Sequence, residues 1–280
     1  MDIRDTHRFF ANDVITDAYT EEFLFNAKLD SYDLSVRDSA TSVRRLLTVE
    51  EDAEIPTRKC LSCNDQIFIA GNTLIDTYNG SVLKRKVIVH PATGLASIRT
   101  TAEVLNESAG TPMYLAQAFL KQSREEQISS EAFPVYNFFA ASTETTTRNY
   151  VITLNSGLYR VQSIENTVGG FKSFMASEIM SGAVQAVSYT GSRGTYIPAT
   201  GLHTAIAPIT ISALVERYQT GYRYPTSNAV KYVTGDILAT ILKTDVASPA
   251  TGDLVTVGGT AYFVLEFADD LNGSWELHLR

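Results

Sequence analysis

The sequence is short of several things that would name a function directly. It has two cysteines in 280 residues, Cys60 and Cys63, too few for a disulfide framework in a chain this long. No run approaches the ~18 consecutive apolar residues of a membrane helix. The best stretch, Ala205 to Val215, is broken by Pro208, Thr210 and Ser212. The opening Met1-Asp2-Ile3-Arg4-Asp5 lacks the basic-then-apolar order of a signal peptide. Positive charge is scarce too: 23 Lys and Arg stand against 31 Asp and Glu, for a net charge of -8. Tight nucleic-acid binding works by neutralising phosphates with a basic surface, so this chain is a poor candidate for it. An acidic wall is what a passage needs if DNA is to slide through without sticking. The chain therefore reads as a soluble globular protein with no membrane contact.

What is present is an ordinary core-forming composition, 44% hydrophobic and 10% aromatic, with abundant Thr, Val, Ile, Tyr and Phe. Turn residues recur about every ten positions, which predicts a mainly β chain of many short antiparallel strands. The clearest hairpin runs from Asp253 to Val257, turns at Gly258-Gly259 and returns from Tyr262 to Phe267. A second turn, Asp269 to Gly273, feeds Trp275 to Leu279, whose alternation predicts a strand with one buried face. The same order recurs from residue 65 to 90, with its first turn placed at Gly71-Asn72, and from 149 to 176 around Asn155-Ser156-Gly157 and Gly169-Gly170. Each of these three units, 65–90, 149–176 and 252–280, has the length of a β-meander.

Helices are expected in few places. Thr111 as cap, Pro112 at the first helical position, and Met113, Ala116, Phe119 and Leu120 at helical spacing predict a helix running into Lys121 to Glu126. A shorter turn is expected at Ala102 to Asn106, giving one or two short helices near 102–128. Asp17 to Leu29 also carries a helical pattern. Gly182 to Gly201 reads as a long loop or hairpin tip, and Tyr218 to Ser227 as a second irregular stretch. A boundary near residue 145 separates a mixed β/α domain (1–145) from a β-rich one (146–280).

The Cys60-Leu61-Ser62-Cys63 spacing supplies half of a zinc site, but a second ligand pair is missing and His7, His90, His203 and His278 are scattered. Inert thiols are the expectation. No nucleophile elbow, Walker lysine or paired-carboxylate pattern stands out, and Asp269-Asp270 suits a turn. The chain is not expected to be an enzyme, and no cofactor or metal is assigned. Interaction candidates come from charge and aromatics instead. The acidic run Glu50, Glu51, Asp52 and Glu54 is either a solvated loop or a projection facing a channel or a basic partner. Lys84, Arg85 and Lys86 either guard an edge strand or dock an acidic neighbour, and Arg44-Arg45 invites both readings. Arg217, Tyr218, Tyr222, Arg223 and Tyr224 suit either a subunit interface or a packed loop.

The stretch Gly252 to Val264, closing in Trp275-Glu276-Leu277-His278-Leu279-Arg280, resembles the final β-hairpins of head–tail joining proteins of tailed bacteriophages, the stoppers or head-completion proteins of the neck. Segment Ile55 to His90 has a looser likeness. This chain is well over twice the usual length for that family. The resemblance implies small β-barrels, a cyclic homo-oligomer of six or twelve copies between portal or adaptor and tail, and DNA passing through without specific binding. It also implies a place in the virion after assembly in the host cytoplasm. Protomers would pair along edge strands, and the arm Asp2 to Asp13, the acidic run, Tyr189 to Gly201 and Tyr218 to Ser227 would reach neighbours. The competing class is a capsid decoration protein or a tail module binding host glycan or another virion protein.

Overall fold

A computed structural model describes residues 13–31, 45–49, 59–78, 81–119, 135–141, 150–166, 170–179, 183–192, 196–197, 199, 202–203, 206–217 and 235–280. They form a mainly β protein of three closed, six-stranded antiparallel barrels. Barrel 1 comprises β1 (Asp13–Asp17), β2 (Phe23–Ser31), β3 (Arg45–Val49), β4 (Cys60–Cys63), β5 (Gln66–Tyr78) and β6 (Ser81–Pro91). Barrel 2 comprises β7 (Gly94–Arg99), β8 (Thr111–Phe119), β9 (Val135–Ala141), β10 (Val151–Leu154), β11 (Gly157–Asn166) and β12 (Phe171–Ile179). Barrel 3 uses β13 (Val184–Thr190), β16 (Ile209–Arg217), β17 (Ile237–Leu242), β18 (Leu254–Val257), β19 (Thr260–Asp269) and β20 (Ser274–Leu279). Among the described residues, the short β14 (Tyr196–Ile197) and β15 (Leu202–His203) pair with each other and with no other strand. Naming the strands of each barrel a to f in chain order, all three close in the same order, a-b-c-f-e-d.

The repetition extends to single residues. Each d strand has four residues and turns into e through two residues with positive φ: Asn64 (49°) and Asp65 (60°), Asn155 (49°) and Ser156 (69°), Gly258 (56°) and Gly259 (84°). Left-handed conformation at both positions is the I′ turn that matches strand twist, and Asn, Asp and Gly tolerate it best. Each e strand then pairs regularly for five residues, to Ala70, Val161 and Val264, before a bulge breaks the register. A bulge bends a strand and sharpens its twist, which helps a short sheet close on itself. In the first unit the turn thus lies at Asn64-Asp65, and Gly71-Asn72, expected as a turn, is the bulge inside β5.

Each barrel has its own core of alternate inward residues. Barrel 1 packs Ile15, Phe25, Leu47, Phe68 and Val87, barrel 2 packs Met113, Leu115, Phe138, Ile152 and Phe174, and barrel 3 packs Val187, Ile211, Ile241, Val255 and Leu277. Two helical expectations give way to this period of two. Thr111–Phe119 is β8, because Met113 and Leu115 alternate into the core, while Pro112 precedes the stretch paired with β9, so one ladder alone meets its missing N–H. Leu120 and Lys121 to Glu126 lie outside the described residues. Residues 17–29 are a hairpin: the Asp17 carboxylate accepts from the Tyr19 and Thr20 amides (2.9 and 3.1 Å), Glu21 has a φ of 60°, and Phe25 and Ala27 then point inward. The stretch Gly182 to Gly201, expected as a long loop or hairpin tip, contains the core strand β13, with Val187 and Tyr189 in the core.

The single helix among the described residues, α1 (Thr101–Leu105), follows from a capping box. Thr100 Oγ1 accepts from the Glu103 amide (3.2 Å), and the Glu103 carboxylate accepts from the Thr100 amide (2.7 Å). A boundary near residue 145 would cut barrel 2 between β9 and β10; strand pairing divides the chain after β6 and after β12 instead.

Candidate interaction surfaces

Barrels are joined through faces, and both joins use equivalent faces. At the first, Cys60 (d), Ile69 (e) and Ile88 (f) of barrel 1 pack on Ala116 (b), Phe139 and Ala141 (c) and Phe171 (f) of barrel 2. His90 stacks on Phe139 (5.1 Å between centroids, 26°) and meets Phe171 edge-on (6.2 Å, 83°). The a–b turn of barrel 1 adds Tyr19, whose ring lies 5.0 Å from Tyr114 of β8 and whose hydroxyl accepts from the Tyr114 amide. At the second join, Val151 (d), Leu158 (e) and Ile179 (f) of barrel 2 pack with Leu214 (b) and Leu242 (c) of barrel 3. Here α1, the a–b connection of barrel 2, contributes Val104 and Leu105.

The e-strand residue at the centre of each join decides its chemistry. Ile69 and Arg160 hold the same position, one residue before the bulge-flanking Ala70 and Val161, and both are 0% exposed. Arg160 crosses to barrel 3. Its Nε and Nη2 donate to Glu216 of β16 at 2.8 and 2.5 Å, and its Nη1 lies 3.6 Å from Glu276 of β20. Two carboxylates thus share one guanidinium out of water. Among the described residues, neither oxygen of Glu276 has a hydrogen-bond partner. Burial pushes its pKa up to about 7; Arg160 opposes that rise, while Glu216 and Asp270 add to it. The strand expected to have one wet face, Trp275 to Leu279, therefore buries both, with Glu276 on Arg160 and His278 Nε2 2.6 Å from Asp236.

Other acidic groups belong to turns. Burial raises the Asp253 carboxyl, but hydrogen bonds from the Tyr189 hydroxyl and from the Ser192 and Ala250 amides outweigh it and hold the group below the usual carboxylate range. Asp270 accepts from the Asn272 and Ser274 amides. Asp269 accepts from Lys243 (2.5 Å), whose ammonium lies 4.7 Å above the Trp275 ring. The two thiols of the CxxC point to opposite faces of β4, Cys63 into the core of barrel 1 and Cys60 into the first join, because a strand alternates its side chains. They cannot share a metal. Among the described residues no three His, Cys, Asp or Glu side chains gather as metal ligands, and no helix is long and apolar enough to cross a membrane.

Of the interface residues expected from sequence, Lys84, Arg85 and Lys86 lie on β6, paired on one side with β5 and, from Arg85 on, with β3 on the other. A closed barrel leaves them no edge to guard, and none of the three barrels offers an edge strand for pairing between protomers. Arg217 ends β16, opposite Ile237, with its side chain exposed. Glu50, Glu51, Asp52, Glu54, Arg44, Tyr218, Tyr222, Arg223 and Tyr224 lie outside the described residues, as do His7 and residues 2–12 of the N-terminal arm. The buried Arg160 and Glu276 and the half-buried Glu216 went unread because nothing local marks a charged residue as buried. Aligning the three d–e turns would have exposed the odd position.

Compared with known proteins, the chain matches no family model, no curated protein and no solved structure.

Proposed function

We propose that this chain is a structural protein of a tailed-phage neck, forming a ring between portal or adaptor and tail that joins head to tail and lets DNA pass. The observation that carries this reading is that Gly252 to Arg280, where the likeness to head–tail joining proteins is densest, supplies the d, e and f strands of a small closed barrel. The same barrel occurs three times, which accounts for the unusual length as an enlarged member of that kind. The role is mechanical: buried joins hold three barrels as one body, and outer faces meet neighbours. The net charge of -8 suits a component beside a DNA channel, where phosphate must not be held.

The test is the mass of the purified protein alone and mixed with portal, adaptor and tail components from the same source. Closed rings of about six or twelve copies on a portal or adaptor are the expected result. A protein that ignores every neck component and binds an assembled shell or a glycan would be a decoration or tail-binding module instead, and the proposal would fall.

A further inference from the structure

The two joins fill equivalent centres with different side chains. Register fixes the equivalence. The e-strand position of Ile69 and Arg160 falls at Phe263 in barrel 3, one residue before Val264. The residue after it pairs on the f strand with Val89, Ala176 or Leu279, and three residues back from these stand Lys86, Ser173 and Glu276. Glu276 is thus the counterpart of Ser173, and through strand pairing Thr240 is the counterpart of Phe139. At the first join Ile69 and Phe139 meet as apolar surface, and the Ser173 hydroxyl donates to the Asn137 side chain. At the second, Arg160 stands for the isoleucine, Thr240 for the phenylalanine and Glu276 for the serine.

The polar set does not satisfy itself. Thr240 is 0% and Glu276 1% exposed. Among the described residues, nothing hydrogen-bonds Thr240 Oγ1 or either oxygen of Glu276. The two residues are direct cross-strand partners, and Ala239, Ile241 and Leu277 beside them take the core face, so both side chains stand together on the outer face. Arg160 Nη1 comes only to 3.6 Å from Glu276 Oε1, beyond hydrogen-bonding range. A buried polar atom without a partner forfeits its hydration, and here three such atoms are neighbours. The surrounding side chains are short: Ala268 flanks Glu276 on β19, Ser177 lies opposite Arg160 on β12, and Thr240 is far smaller than the Phe139 it stands for.

We infer that the second join is a binding site for one buried water molecule, held by Thr240 Oγ1, the Glu276 carboxyl and Arg160 Nη1 as a standing part of the contact between barrels 2 and 3. The water accepts from the guanidinium and the threonine hydroxyl and donates to the carboxylate, about the number of bonds a buried water makes. A polar contact bridged in this way is nearly as favourable as a direct one. Other occupants suit the site less. A metal ion wants several anionic or imidazole ligands, and among the described residues no three His, Cys, Asp or Glu side chains gather to supply them. The guanidinium already provides the positive charge, and an apolar molecule would leave the oxygens as they are. At the first join Phe139 takes the place of Thr240, which removes the site. One barrel geometry thus seats barrel 2 on barrel 1 by direct contact and barrel 3 on barrel 2 through a solvent molecule. The inference rests on the second join alone and is independent of the neck reading.

The experiment pairs a high-resolution crystal structure of the full wild-type chain with urea unfolding of Thr240→Val at pH 5.5, where Glu276, with a pKa of about 7, keeps its proton. Expected in the density is a solvent peak within hydrogen-bonding distance of both Thr240 Oγ1 and the Glu276 carboxyl. A join with no such peak, with Glu276 bonded directly to Thr240 or to Arg160, overturns the inference. Valine keeps the branched shape of threonine and removes only the hydroxyl, so the sign of its effect is decisive. If a water is bonded there, Thr240→Val takes away one of its partners and the folded-to-unfolded ratio falls roughly 3- to 10-fold. If the hydroxyl is dry, the substitution removes an unpaired buried group and the ratio rises, which overturns the inference as well. The density needs only wild type, so it decides even where Thr240→Val does not fold.

Discussion

The two internal joins occupy equivalent surfaces and are held by different physics. The first is apolar and aromatic: Ile69, Phe139 and Phe171 exclude water, and His90 is stacked among them. The second sets an ion cluster at its centre, one guanidinium between two carboxylates, ringed by Leu214, Leu242, Val151 and the helix residues Val104 and Leu105. Burying apolar surface stabilises by roughly 25 cal/mol per Å² whatever the partner's orientation. A buried ion cluster stabilises little in net terms, because desolvation offsets attraction, yet breaking it is severe. The lesson is that the barrel geometry sets where contact occurs, while a single e-strand residue sets whether the contact is forgiving or exacting.

That contrast can be broken most sharply at Arg160. Arg160→Ala leaves the buried Glu276 and the half-buried Glu216 without their cation and is expected to cost ~3–5 kcal/mol in denaturant unfolding, or to release barrel 3 before the rest. Ile69→Ala at the equivalent site opens a cavity and should cost ~2–4 kcal/mol, with no dependence on pH or salt. Equal pH dependence in both variants would show that the joins do not differ as described.

Glu276 sharpens the comparison in the other direction. Its folded pKa, about 7, lies above the ordinary glutamate value of 4.5, so the folded state holds this proton more tightly than the unfolded chain does. Stability from this group is therefore fullest below pH 4.5 and is lost as pH rises through 7, by up to roughly 3 kcal/mol. Glu276→Gln should raise stability at pH 8 and flatten the profile between 4.5 and 7, as read from urea midpoints across pH. A decrease at pH 8 would mean that Arg160 needs both charges. The smallest effect is expected at the edge of the first join. Gly170 has a φ of 82°, and a Cβ there would press on the Asn72 side chain. Gly170→Ala should cost ~1–2 kcal/mol without altering the second join.

The parts of this architecture legible in the sequence were those written in short-range chemistry. Gly258-Gly259 and Asn155-Ser156 announce their turns because few residues accept positive φ, and the two meander units around them span strands d, e and f of barrels 3 and 2, whereas unit 65–90 holds only e and f of barrel 1. In the first unit Gly71-Asn72 drew attention from the Asn64-Asp65 turn, since a glycine in a bulge and a glycine in a hairpin look alike locally. Thr111-Pro112 imitates a helix start, and Met113, Ala116 and Phe119 fit a helical face as well as a strand. Pairing with β7 and β9, a tertiary effect, decided for the strand. The joins were hidden for another reason. Ile69, Arg160 and Phe263 share one structural position but have nothing chemically in common, so no periodicity search links them. Glu276 and His278 read as the wet side of a strand because their cover comes from elsewhere in the fold.

The most direct test of one join geometry carrying two chemistries is hydrogen exchange of the intact protein at pH 5.5 and pH 8, corrected for intrinsic rates. The expected result is that peptides spanning β11, β16 and β20 lose protection at pH 8 while those spanning β5, β8 and β9 do not. Equal protection at both pH values across both joins would contradict it, and would mean that the Arg160 cluster contributes no more pH sensitivity than the apolar contact it replaces.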